Sequence, residues 1–316
     1  MPEIVIWIGV FVLSLTTLIV AADVFIKVSE RIGLALGIPA FVIGVTLVAL
    51  GTSLPELVTS IIAVVEGAST IVMGNVVGSN IANTCLILGL VGVVGRKIHL
   101  KFDLMRVDLP MMMGSAFLLF LAALDRKFTL FEAVLCIGGL VLYLAYVFYS
   151  GRNNEFDLDE TQEKTQVKIS VWDPLKLLAA VVIIYFSADY NVESIQFIAR
   201  YMDVGEELVA LTAVSMGTSL PELVVSVVAV RSNNAEMAVG NILGSNIFNI
   251  VCVMGIPRLF GMVTVPEGVL SFALPAMLVA SFLTFFVLQD RVLNRWEGWI
   301  LLLAYAVFIS NVASFG

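Results

Sequence analysis

Glu56 and Glu222 are carboxylates set inside apolar stretches, and each closes the same hexapeptide, GTSLPE, which begins at Gly51 and again at Gly217. The prolines of the two copies, Pro55 and Pro221, carry no N–H. The carbonyls four residues earlier, at Gly51 and Gly217, therefore lose their helical donors, and the ring is expected to open that turn. In hydrocarbon such carbonyls are tolerated where they line a cavity or hold an ion. Beside them stand the hydroxyls of Thr52, Ser53, Thr218 and Ser219. A second repeated signature, GNxxGSNxxN, adds Ser79 and Asn83 in the first copy and Ser245 and Asn249 in the second. At i and i+4, each Ser/Asn pair lies on one face of a helix.

Every donor in this set is oxygen, with no His or Cys cluster, which disfavours soft and borderline metals. Calcium accepts roughly 6–8 oxygens at roughly 2.3–2.6 Å in flexible geometry, whereas magnesium keeps its waters and wants a rigid octahedron. Sodium is close to calcium in size and is satisfied by hydroxyls and carbonyls. The charge arithmetic points the same way: two carboxylates are neutralised by one Ca²⁺, by two Na⁺ or by two protons. Left empty and ionised, the pair would be penalised, since an isolated intramembrane charge costs at least ~2.5 kcal/mol. An apo protein that resists switching sides while loaded forms switch readily is an obligatory exchanger.

The elements that must position these residues come as a duplication. Forty residues from Gly51 align without a gap on forty from Gly217, at a constant offset of 166, with 19 identities. Duplicated halves that each carry an intramembrane carboxylate and a helix-breaking proline are the mark of a secondary transporter with its site between the repeats. Composition agrees: 60% of residues are apolar, 13% are charged and the mean hydropathy is +1.03. Ten segments are apolar enough to span a bilayer, near 4–26, 39–65, 70–94, 104–124, 129–150, 172–196, 206–230, 235–257, 266–288 and 296–314. The expected fold is all-α and integral to the membrane: ten helices in two inverted five-helix repeats, 1–150 and 171–316, with helices 2 and 7 interrupted and a cytoplasmic linker at 151–170. Five spans per repeat is odd, so the second repeat enters the membrane with opposite orientation. The acidic start, Met1-Pro2-Glu3, reads as a retained first helix rather than a signal peptide.

With the N-terminus outside, thirteen of the 17 Lys and Arg residues fall inside or at inner helix ends. Only Arg126, Lys127, Arg200 and Arg258 fall outside, so both termini are expected to be extracytoplasmic in a plasma membrane. The linker's acidic cluster of Asp157, Asp159, Glu160 and Glu163 is read as solvated, because Gln162 stands where a calcium loop of the EF-hand type needs glycine. Cys85, Cys136 and Cys252 lie in apolar spans and imply no disulfide framework. The net charge of −8 makes nucleic-acid binding improbable.

The paired GTSLPE and GSNxxN motifs resemble those of the sodium/calcium exchangers of the calcium/cation antiporter superfamily, in its compact prokaryotic form, and the resemblance covers essentially the whole chain. It implies ten helices in two inverted repeats and exchange of Ca²⁺ for Na⁺ or, in some branches, H⁺. Carried over by motif position, the implied ion ligands are Thr52, Ser53, Glu56, Ser79 and Asn83, with Thr218, Ser219, Glu222, Ser245 and Asn249. Backbone carbonyls near Ala49 and Ser215 assist. Asn249 is Asp in some relatives, potassium-dependent ones included, so Asn here argues against potassium co-transport. The resemblance implies no cofactor beyond the transported ions and no obligate protein partner.

Other features have plainer readings. Gly74 with Gly78, and Gly240 with Gly244, are close-packing surfaces for neighbouring helices. Asn75 and Asn241 are expected to hydrogen-bond between helices rather than bind ions. Asp23 and Asp189 sit near the ends of the first helix of each repeat, either solvated or on a cation approach path. Glu66 and Arg231 are solvated at loop edges, and His99 anchors a basic loop at the membrane surface. An intramembrane hydrolase would need a nucleophile and base, yet the lone histidine lies in a loop and no GxSxG elbow occurs. A channel would need an open pore lined by rings of charge.

Overall fold

A computed structural model describes residues 2–152, 169–201 and 218–315. Almost all of it is helix. The first half contains α1 (Pro2–Leu36), α2 (Ala40–Ile43), α3 (Ala49–Val65), α4 (Thr70–Ile81), α5 (Leu88–Gly95), α6 (Asp108–Ala123) and α7 (Leu130–Arg152). The second contains α8 (Asp173–Tyr201), α9 (Leu220–Arg231), α10 (Ala235–Phe248), α11 (Leu274–Leu288) and α12 (Arg295–Phe315). Among the described residues, seven helical stretches are long and apolar enough to cross a membrane and Asp108–Ala123 is a shorter apolar helix; the first part of the span expected at 206–230, up to residue 217, lies outside the described residues.

Polarity is turned inside out, as a lipid solvent requires. Leu13, Phe131 and Leu142 are exposed at 70% or more, while the polar residues of both motifs, apart from the half-buried Thr218, are buried together with Ser60, Asn80, Ser226 and Asn246. Buried polar residues of this kind face the interior of a helical bundle in membrane proteins.

α1 and α8 run antiparallel along one another. Asn191 Nδ2 donates to Ser14 Oγ at 3.1 Å, Trp7 stacks on Phe197, and Arg31 pairs with the buried Asp173 at 3.4 Å. α1 continues well past the expected boundary near residue 26, to Leu36. Asp23 therefore sits within the helix rather than near its end, paired with Lys27 at 2.6 Å. Asp189 is likewise an exposed position inside α8.

Four short strands tie the halves together. β1 (Lys97–His99) pairs antiparallel with β4 (Val292–Asn294), and β2 (Lys127–Phe128) with β3 (Val263–Thr264). The offset of 166 carries β1 onto β3 and β2 onto β4, so it exchanges one ladder with the other. The ladders flank the 16-residue α6, about 24 Å long at 1.5 Å per residue, and so lie at opposite ends of the bundle.

The proline positions depart from expectation. α3 runs unbroken through Pro55, and the irregularity lies upstream as a π turn over Gly44–Val48. One missing hydrogen bond is tolerated in a helix supported by its neighbours. In the second repeat, Thr218 and Ser219 form a turn and α9 begins at Leu220, with Pro221 in its first turn, where a missing N–H is harmless. A π turn also precedes α11, at Val269–Ala273, and two others, Ala82–Ile87 and Asn249–Val253, follow α4 and α10. Both contain a motif asparagine, Asn83 and Asn249.

Candidate functional site

Glycine governs how closely the elements of the site approach. A Cβ on Gly244 would lie 2.5 Å from the Val45 carbonyl oxygen, and one on Gly240 would collide with the Phe41 carbonyl. α10 is therefore seated directly on the backbone of α2 and its π turn, as the GxxxG spacing predicts, whereas a Cβ on the equivalent Gly74 or Gly78 would meet nothing within 4 Å, so that pair is not the close-packing surface expected of it. This packing brings α10 against α3, and α9 joins them.

At that junction Glu56 is 1% exposed and Glu222 is fully buried. Ser53 Oγ, from the first repeat, donates to Glu222 Oε1 at 3.2 Å. Both carboxylate oxygens of Glu56 and Oε2 of Glu222 have no hydrogen-bond partner among the described residues. The same holds for Ser219 Oγ, Ser245 Oγ and the amide oxygens and nitrogens of Asn83 and Asn249. No Lys, Arg or His forms an ion pair with either glutamate among the described residues. Buried polar atoms are nearly always paired, so a concentration of bare acceptors calls for an ion or water as the missing partner.

The remaining predicted oxygens join the same region. Thr52 Oγ1 lies 3.3 Å from the Ala49 carbonyl oxygen and donates to Asn241 Oδ1 at 3.2 Å. Thr218 Oγ1 donates to Asn75 Oδ1 at 3.0 Å and lies 3.2 Å from Ser79 Oγ. Asn75 and Asn241 thus bond across the two repeats, as expected of them. Ser215 lies outside the described residues. Glu66 and Arg231 are exposed at helix ends, and neither they nor Asp23 and Asp189 reach the site. No group of three His, Cys, Asp or Glu gathers anywhere among the described residues, so the acidic component here is a pair embedded in neutral oxygens.

Some buried polar residues were not singled out from the sequence. Ser60 and Ser226 are equivalent in the two repeats, as are Asn80 and Asn246. Asn80 Nδ2 reaches the Asn246 carbonyl at 3.4 Å, so equivalent residues meet where the halves join. The signal that would have found them was their identity in the repeat alignment.

These features define a class: a multi-pass helical membrane protein whose homologous halves enclose a buried carboxylate pair among hydroxyl and amide oxygens, the composition of an ion-transport site. The chain belongs to the sodium/calcium exchanger protein family, whose profile matches residues 6–150 and 172–313. It is 34% identical to sodium/calcium exchanger MaX1 of Methanosarcina acetivorans over 95% of this chain and 96% of that protein. An uncharacterized membrane protein of Methanocaldococcus jannaschii, MJ0091, is 30% identical, covering 96% and 97% of the two chains. A solved structure of the sodium-calcium exchanger NCX_Mj, soaked with zero Na⁺ and Ca²⁺, matches with a TM-score of 0.82 at 27% identity, over 98% of this chain and 99% of that one.

Proposed function

We propose that the protein is a secondary active antiporter of the plasma membrane that exchanges Ca²⁺ for Na⁺ by alternating access. Its architecture in this reading is ten spanning helices in two inverted five-helix repeats, 1–150 and 171–316, joined by the 151–170 linker. The ions bind at the midplane, between the two GTSLPE motifs. Glu56 and Glu222 supply charge. Thr52, Ser53, Ser79, Asn83 and their counterparts Thr218, Ser219, Ser245 and Asn249 supply neutral oxygens, with the carbonyls of Ala49 and Ser215. The exchange of the two strand ladders by the repeat offset supports the inverted arrangement.

One observation carries the reading. Two equivalent glutamates, one from each repeat, are buried near each other without a basic partner among the described residues and with three of four carboxylate oxygens bare. A structural ion pair would present a cation from the protein, whereas this arrangement leaves the position to a mobile one. The similarity to MaX1 and NCX_Mj supports calcium and sodium as those cations.

The mechanism follows from charge. One Ca²⁺ balances both carboxylates, and Na⁺ ions can replace it on the same oxygens. The empty, doubly ionised site is the form least able to cross the bilayer centre, which couples movement to occupancy. Calcium uptake into proteoliposomes, driven in turn by sodium, potassium and proton gradients, tests the proposal. Uptake driven by the sodium gradient is expected. Uptake without any counter-ion gradient identifies a channel, and uptake driven only by a proton gradient identifies proton exchange.

A further inference from the structure

One hydroxyl proton lies between two acceptors at the edge of the site. Thr52 Oγ1 is 3.3 Å from the Ala49 carbonyl oxygen and 3.2 Å from Asn241 Oδ1. Thr52 has one proton and can satisfy one of them fully. A helical carbonyl has two lone pairs, of which the N–H four residues on takes one. If the Thr52 proton goes to Ala49, that carbonyl has nothing left for an ion. If it goes to Asn241, both the Ala49 carbonyl and the Thr52 oxygen keep a lone pair free.

Asn241 is itself held. It is fully buried, and its Nδ2 donates to Ser226 Oγ at 3.0 Å. With its nitrogen on Ser226, the amide turns its oxygen toward Thr52. The equivalent contact in the first repeat is only half made. Thr218 donates to Asn75 Oδ1 at 3.0 Å, but Ser60, the counterpart of Ser226, is buried with its hydroxyl unpartnered among the described residues. Two chemically identical asparagines are therefore anchored differently.

We infer that Asn241 is a positioning residue for cation binding: it draws the Thr52 proton away from the ion, and Ser226 fixes the amide orientation that lets it do so. The inference rests on the exchanger reading above. It goes further by assigning a role to two residues outside the ligand set and by separating Ser226 from Ser60. Neither Asn241 nor Ser226 touches the ion in this account. Their effect is on how many lone pairs the first-repeat oxygens can offer.

The test is ⁴⁵Ca²⁺ uptake by the purified full-length protein in proteoliposomes, measured over a range of Ca²⁺ and Na⁺ concentrations. Loss of a group that orients a metal ligand typically weakens binding roughly 10–100-fold. Asn241→Ala should raise the half-saturating concentrations of both cations by roughly that factor, with the maximal rate largely kept. Ser226→Ala should shift them in the same direction by less, and Ser60→Ala should leave them unchanged. In a Thr52→Ala background, adding Asn241→Ala should have no further effect, because residues acting through one group are not additive.

Active wild-type protein with an unaltered half-saturation in Asn241→Ala overturns the inference while leaving the exchanger reading intact. Equal effects of Ser226→Ala and Ser60→Ala overturn it too, and they decide the matter should Asn241→Ala fail to fold. A wild-type protein that moves no Ca²⁺ under any gradient removes the exchanger reading, and this inference with it.

Discussion

A carboxylate fully surrounded by protein needs a counter-charge or a proton, and the bare oxygens of Glu56 and Glu222 make the counter-charge a transported ion in the reading above. Glu56→Gln and Glu222→Gln each remove one of two charges opposing a divalent cation while keeping the side-chain volume and one oxygen. Each is expected to abolish ⁴⁵Ca²⁺ uptake in proteoliposomes without changing elution on size exclusion. Near-normal uptake by either variant would place the ion elsewhere. Ser53 is expected to act through the bond it donates to Glu222 at 3.2 Å. A hydrogen bond to a charged group contributes about 1.5–3 kcal/mol, so Ser53→Ala should weaken calcium half-saturation roughly ten-fold or more. Most site residues were legible because the same oxygen-bearing types recur at one offset in two apolar stretches. Ser60 and Ser226 recur in the same way, but the sequence does not show that Ser226 is bonded to Asn241 while Ser60 is unpartnered among the described residues. Asn241 was legible as an interhelical hydrogen-bonding residue, and the packing of α3 against α10 identifies Thr52 as its partner.

Helices were legible for a different reason: in a membrane the length of an apolar run is set by the hydrocarbon thickness, which leaves little freedom in where a span falls. The stretches expected at 39–65, 70–94 and 129–150 correspond to Ala40–Val65, Thr70–Gly95 and Leu130–Arg152. What hydropathy could not convey is the local winding. Pro55 promised a break and produced none, while π turns arose at Gly44–Val48, Ala82–Ile87, Asn249–Val253 and Val269–Ala273, where no residue type announces them. Such turns gather at functional sites because they redirect side chains without ending the helix, and Asn83 and Asn249 lie in two of them. The seat of α10 on the first of these turns is the element contact most open to test. Gly244→Ala puts a methyl 2.5 Å from the Val45 carbonyl oxygen, and backbone has nowhere to move. Overpacking of this kind typically costs about 1–3 kcal/mol, so the melting temperature in detergent should fall. Gly9→Ala, with nothing within 4 Å of the new methyl, should leave it unchanged and serves as the matched control.

At the scale of the whole molecule, two halves related by one offset share two ladders at opposite ends, one joining residues 97–99 to 292–294 and the other 127–128 to 263–264. In the proposed orientation, which rests on the thirteen-to-four division of basic residues, the first ladder lies on the cytoplasmic side. Cysteines at Arg152 and Arg126 should then label from opposite faces with an impermeant maleimide, and labelling of Arg152→Cys in intact right-side-out cells would invert the topology. Which ion drives the cycle is the remaining question at this scale, and the donor set bears on it. A proton titrating Glu56 or Glu222 needs no hydroxyl or amide around it. Calcium needs some of the oxygens of Thr52, Ser53, Ser79, Asn83 and their four counterparts whichever ion drives it, but several sodium ions would use them all. Sodium should therefore drive calcium movement without potassium, with protons competing for the glutamates and slowing transport as pH falls. If more than two Na⁺ move per Ca²⁺, each cycle carries net charge across the membrane, worth about 2.3 kcal/mol per charge for every 100 mV. Sodium-driven calcium uptake should then accelerate or slow with the sign of a potential set by potassium and valinomycin. Uptake driven by a pH gradient in sodium-free buffer, and indifferent to an added sodium gradient, would transfer the driving role to protons and leave the eight neutral oxygens to calcium alone.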